Sequence, residues 1–178
     1  MKERYLYPHI DALALFDAVR QGLGEGSVSP SWREQSEAAL AEASSMLGLL
    51  ASLSGAPVSI HPITTQEGGV QRWLLRRLLE VPLGLAMGDI RGCEHVEKGA
   101  GPIAVLAVAW SRRIVCLSRE CFERYLEELR PHGEEMACDR CGTHVPPPGP
   151  RTAMAQLGHT ILVAGLCQEC LGAGTQAG

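Results

Sequence analysis

All seven cysteines of this chain fall between Cys93 and Cys170, and with His95 they make eight side chains of the types that bind soft metal ions. They form four short clusters: Cys93 with His95, Cys116 with Cys121, Cys138 with Cys141, and Cys167 with Cys170. Eight ligands fill two tetrahedral shells with no cysteine left over. The second half reads C-x2-C-x25-C-x2-C. Two thiolates three positions apart grip one ion from a tight turn, and two such turns complete its shell. Two structural zinc ions are therefore expected. A rubredoxin-like iron centre would use the same four thiolates as the second site, but no electron-transfer context accompanies them. The pairing of the clusters is open at this level, a cross-braced arrangement included. His132 and His144 are alternative ligands to His95.

A complete shell leaves no coordination position for water or substrate, so the expected role of each ion is structural. No Ser-His-Asp elbow, H-E-x-x-H helix or Walker motif occurs in the chain. Metal binding is thus the chemistry with the clearest residue pattern behind it, and an enzyme is not the favoured expectation.

The elements that position these ligands follow from periodicity and punctuation. Residues Ile10 to Leu23 have the spacing of an amphipathic helix, which GLGEGS at Gly22 to Ser27 ends. Ser29 and Pro30 start a second helix that runs to about Leu53, polar in its first half and apolar in its second. VSIHPIT from Val58 is a short extended piece that Pro62 restricts to an edge or a loop, and His61 within it has no cysteine nearby in sequence. Val70 to Leu79 is expected to be helical, with Val70, Trp73, Leu74 and Leu78 inward and Arg72, Arg76 and Glu80 directed elsewhere. Pro82, Gly84 and Gly88 then read as a breakpoint. The expected fold is α+β: a helical region over 1–88, then a two-zinc region over 89–178 built from short β-hairpins and one helix.

In that second region Ile103 to Trp110 is apolar on both alternating faces and reads as a fully buried strand. Arg113 to Leu117 is its hairpin partner and returns Cys116 toward Cys93 and His95. Ser118 is an expected N-cap for a helix ending at Pro131, with Phe122, Tyr125, Leu126 and Leu129 on one face and Glu120 with Arg124 as an ion pair. Cys121 falls in its first turn, where free backbone amides favour a thiolate. After HGEEMA comes the knuckle CDRCGTHV, whose Gly142 suits a chain turning back under a metal. The PPPGP run makes an exposed loop, HTILVAGL forms a strand leading into CQEC, and the tail LGAGTQAG is expected to be loose.

Knuckle, hairpin and helix N-terminus over 91–131 resemble the treble-clef group of zinc folds, although C-x4-C stands where that group has C-x2-C. Two knuckles joined by a hairpin over 136–171 resemble a zinc ribbon. Each resemblance is to a fold group and implies zinc. A third likeness concerns His95-Val96-Glu97 followed by Cys116 and Cys121, which is similar to the zinc-deaminase signature H-x-E then P-C-x2-4-C. The departures are that no Pro precedes Cys116, that Gly99 to Pro102 breaks the helix expected after the Glu, and that Cys93 would occupy the open position.

With 178 residues and 46% hydrophobic side chains the chain can bury a core, but aromatics supply only 4%, so aliphatic residues and alanine must fill it. The formal charge of -4 does not suit a protein living on phosphate contacts. A strip of Arg112, Arg113 and Arg119 is the nucleic-acid alternative, and a protein partner or self-association through the apolar end of the second helix is the leading expectation. The opening MKERYLYPHIDALALFDAVRQG has no apolar core of signal-peptide type, and clustered cysteines are commonest as ligands in a reducing compartment, so a cytoplasmic location is expected. Ala43 to Gln66 lacks charged residues, yet its serines, Gly55 and Pro57 break the density a spanning helix needs.

Overall fold

A computed structural model describes Tyr7 and residues 30–53, 58–62, 69–99, 101–109, 111–129 and 136–172. The expected helix at Ile10 to Leu23, the GLGEGS loop and His132 lie outside the described residues, as do Trp110, the tail after Gly172 and the side chains of His61, Leu126 and Leu129. The chain order is α1 (Pro30–Leu53), β1 (Val58–Pro62), α2 (Gly69–Met87), β2 (Arg91–Gly92), α3 (Glu94–Lys98), β3 (Val105–Val108), β4 (Arg113–Cys116), α4 (Arg119–Leu129), β5 (Arg151–Leu157), β6 (Thr160–Leu166) and α5 (Gln168–Gly172).

The fold is α+β, built on a mixed six-stranded sheet in the order β1-β5-β6-β3-β4-β2. Two antiparallel hairpins, β3 with β4 and β5 with β6, are joined edge to edge by the parallel pairing of β3 with β6. β1 adds to β5 in parallel at one edge, the position to which Pro62 confines it. The strand thus comes from the helical part of the sequence. Both halves of the chain contribute strands to one sheet.

Alternation along the strands sends side chains to two faces, and a different set of helices covers each. One face presents Val105, Ala107, Ala109, Ile114, Ala153, Ala155, Leu162, Ala164 and Leu166 to Val70, Trp73, Leu74 and Leu78 of α2. The small alanines make room for the large helix residues, as an aromatic-poor core requires. The other face presents Leu106, Val115, Met154 and Ile161 to Ala43 and Leu47 of α1 and Tyr125 of α4. β3 is buried on both sides, as its sequence predicts. No helix among the described residues is long and apolar enough to cross a membrane.

α2 departs from expectation in two ways. It continues through Pro82 to Met87, eight residues beyond Leu79. Pro82 is exposed, so the hydrogen bond it forfeits lies on the solvent side, while Val81 and Gly84 on either side of it are buried against the core. The helix stops instead at Gly88, whose φ of +78° is open to glycine, with Gly88 N donating to Leu85 O and Asp89 N to Gly84 O, the paired bonds of a Schellman end. The second departure is Glu80, expected outside and in fact 3% exposed. Arg77 pairs with it and also donates to the carbonyl of Ala109, while Glu80 accepts from the backbone N–H of Tyr7 at 3.2 Å. A buried carboxylate is tolerated because a guanidinium and an amide satisfy it.

Candidate metal centres

The first group of ligands is assembled by three elements. Cys93 closes β2 and precedes α3, and its backbone carbonyl accepts from Val96 N at 2.9 Å and Glu97 N at 3.0 Å. α3 is a single turn that buries no residue, and it carries His95. Cys116 ends β4 and Cys121 sits in the first turn of α4, as the sequence predicts. Cys93 N donates to Ile114 O at 3.0 Å, which fixes the β2 end of the site to β4. Cys93, Cys116 and Cys121 are all buried, and His95 stands at the surface.

The second group is built from two turns. In the knuckle Cys138 N donates to Thr143 O at 2.9 Å and Gly142 N to Cys138 O at 2.7 Å, a reversal that requires Gly142 at φ +75°. Below it Val145 N donates to Met136 O and an isolated bridge joins Ala137 to His144. The opposing pair lies where β6 runs into α5, another single turn, and Leu171 N donates back to Cys167 O at 3.1 Å. Cys138 and Cys170 are buried, whereas Cys141 and Cys167 are half-buried.

Within each set of four the ligand atoms lie within 4.8 Å of one another. The clusters therefore pair first with second and third with fourth. His144 belongs to neither group among the described residues. A tetrahedral ion bound at standard lengths separates two sulfurs by about 3.8 Å, and a sulfur from a nitrogen by about 3.6 Å. Cys141 Sγ and Cys167 Sγ are 3.8 Å apart, and His95 Nδ1 is 3.6 Å from Cys116 Sγ and 3.3 Å from Cys121 Sγ. Each group can hold one metal ion. Comparison with protein-family models, curated proteins and solved structures gave no match.

Crowding three thiols in one group and four in the other raises an electrostatic problem that a cation resolves. Burial pushes the Cys93 thiol up, but amides of Cys116 and Val96 pull it down further, to about 7. Burial likewise opposes ionisation of Cys141, and the hydroxyl and amide of Thr143 bring it down to about 6. Burial and then the neighbouring sulfurs of Cys167 and Cys141 drive Cys170 strongly upward. Each group thus holds a sulfur inclined to ionise beside one that resists it, Cys93 beside Cys121 and Cys141 beside Cys170, and a divalent ion removes the conflict.

Register places the two groups far apart. Cys116 is level with Val105, and Val105 is level with Thr160 at the start of β6, whereas Cys167 follows the end of that strand. At the rise of an extended strand the offset is about 23 Å along β6. The groups also sit against opposite faces: Cys138 and Cys170 join the core under α2, while Cys93, Cys116 and Cys121 join the core under α1 and α4. One group anchors α4 to the sheet. The other anchors the knuckle and α5.

Glu97 and the arginine strip complete the inventory of predicted residues. Glu97 Oε1 accepts from Gly92 N at 3.1 Å, and Cys93 Sγ stands inside the first group. Of the three arginines, Arg113 pairs with Glu128, Arg119 pairs with Glu123 at 2.7 Å, and Arg112 is exposed. The expected pair on α4, Glu120 with Arg124, is replaced by Arg119 with Glu123 one position earlier, both of them well exposed. Two hydroxyls escaped the sequence reading: Ser118 Oγ lies 3.2 Å from Cys116 Sγ and Thr143 Oγ1 lies 3.2 Å from Cys141 Sγ. Ser118, expected only as a helix cap, is a neighbour of a ligand. The signal available was a hydroxyl residue two positions after a ligand cysteine in each site.

Proposed function

We propose that this chain is a zinc-stabilised adaptor or scaffold that binds another protein, with one structural zinc ion in each four-ligand group. The observation that carries the proposal is the completeness of both groups at opposite ends and faces of one sheet. A shell of four protein ligands spends the metal on holding α4, the knuckle and α5 in place. The same completeness argues against the deaminase-like reading, since Cys93 fills the position a catalytic water would need and Glu97 is engaged with a backbone amide. Thiolate-rich tetrahedral sites suit zinc, and a reducing cytoplasm suits the thiolates.

A protein partner is favoured over nucleic acid on charge. The strip that would meet phosphates is balanced by Glu128 and Glu123, and the chain carries a formal charge of -4. Exposed apolar side chains, Leu40 and Leu49 on α1 and Met87 at the end of α2, are available for contact with a protein.

The test begins with metal analysis of protein purified without added zinc. Two zinc ions per chain and no visible absorption are expected; fewer than two, or the colour of an iron-thiolate centre, overturns the zinc assignment. The chain recovered from its own cells by gentle affinity purification is expected to travel with a stoichiometric protein companion or a second copy. A lone monomer whose affinity for oligonucleotides falls steeply with salt, and is lost with Arg112, Arg113 and Arg119 replaced, would promote the nucleic-acid reading instead.

A further inference from the structure

We infer that Thr143 and Ser118 are positioning residues of the two metal sites, each donating its hydroxyl to the thiolate of the cysteine two positions before it and slowing that sulfur's attack on electrophiles and the release of its metal. The inference rests on the zinc reading above. Both hydroxyls lie 3.2 Å from a ligand sulfur, at the same i to i+2 spacing, in two sites that share no element. A metal-bound thiolate carries no proton, so in the loaded site the hydroxyl must be the donor and the sulfur the acceptor. Thr143 is fixed in place for this, because its own carbonyl accepts from Cys138 N at 2.9 Å and so ties it into the knuckle.

The physical consequence follows from charge. A hydroxyl proton directed at a thiolate withdraws electron density from the sulfur, and nucleophilicity falls with it. The effect matters most at Cys141, one of the two half-buried sulfurs of the second site. At the first site the three sulfurs are buried, and Cys93 accepts a further bond from Cys116 N at 3.3 Å. There the Ser118 hydroxyl lies beside Cys116 and also bonds Cys121, while a backbone amide supports Cys93.

The experiment uses the full zinc-loaded chain. Alkylation by iodoacetamide is mapped cysteine by cysteine, and zinc transfer to a colorimetric chelator is timed. Thr143→Val keeps the shape and removes the donor; it is expected to speed alkylation of Cys141 and zinc transfer by about tenfold, the low end for groups that support metal ligands. Thr143→Ser is expected to restore the original rates, which a purely packing role would not require. Ser118→Ala repeats the test at the first site, with Ser118→Thr as its rescue. Equal rates in Thr143→Val, Ser118→Ala and the unaltered chain, with two zinc ions bound throughout, overturn this inference and leave the zinc reading intact. An unaltered chain that binds no zinc removes both.

Discussion

Asp139 and Gly165 bind each other twice: Asp139 N donates to Gly165 O at 2.8 Å, and Gly165 N donates to Asp139 Oδ2 at 2.6 Å. The first residue after Cys138 is thereby bolted to β6 two residues before Cys167, so these two bonds hold the two halves of the second group in register.

Asp139→Ala is expected to cost about 1.5–3 kcal/mol, the usual worth of a hydrogen bond to a charged group, because Gly165 N is left without that acceptor. Asp139→Asn keeps an oxygen in place and should cost less. Chemical denaturation of the zinc-loaded proteins checks the order, and an Asp139→Ala protein as stable as the parent would show that water replaces the carboxylate at no cost.

The pair Glu80 and Arg77 makes a second forecast. With Glu80 3% exposed and the Arg77 side chain 17% exposed, removing one partner strands the other's charge in the core. Glu80→Ala is expected to cost about 3 kcal/mol, and changing both residues to methionine should recover most of it. Denaturant midpoints for Glu80→Met, Arg77→Met and the double change decide the matter; additive losses would mean the pair is not coupled.

The eight side chains that form the two candidate groups were legible in the sequence because their signal is local, a matter of which residue stands two or three positions from which. Their pairing was not. Which cluster meets which depends on β2 lying parallel to β4 and on Asp139 docking against Gly165, and parallel pairing leaves no turn signature between the strands. β1 joining β5 is hidden for the same reason, although Pro62 betrayed its edge position. α3 and α5, five residues each, are too short for periodicity to show, yet they carry His95 and Cys170. The proline rule misplaced the end of α2 because it takes no account of which side of the helix the proline faces, and Glu80 went astray because its partners are Arg77 and the distant Tyr7.

Acid provides a third forecast through His159, in the turn between β5 and β6. Burial holds its imidazole below the ordinary histidine value, so the folded protein favours the neutral ring. Above about pH 6.5 both folded and unfolded chains carry it neutral and the folded state is at full strength; as pH falls below that, the unfolded chain takes up the proton first and stability drops. The metal groups also lose affinity in acid, which makes the comparison with His159→Asn the informative one. The parent is expected to lose more stability between pH 7.5 and pH 6 than this variant, and parallel losses would place the titration elsewhere.

Cys93 and Glu97 separate a structural first site from a reactive one. Cys93 Sγ belongs to the ligand group, and Glu97 Oε1 holds the amide of Gly92 at 3.1 Å, a bond that glutamine at the same position can also accept. Glu97→Gln is therefore expected to keep two zinc ions and to shift the thermal midpoint little. Cys93→Ser removes a thiolate from a shell of four, and it is expected to retain one zinc ion, lose the second, and loosen α4, whose hold on the sheet runs through Cys121 and Tyr125. Zinc counting together with amide hydrogen exchange over Arg119–Leu129 reads both effects. A Cys93→Ser protein that kept both ions as firmly as the parent, with a zinc-bound water titrating near neutral pH already present in the unaltered chain, would reverse the assignment, since the open fourth position would then be the native arrangement and Glu97 its proton acceptor.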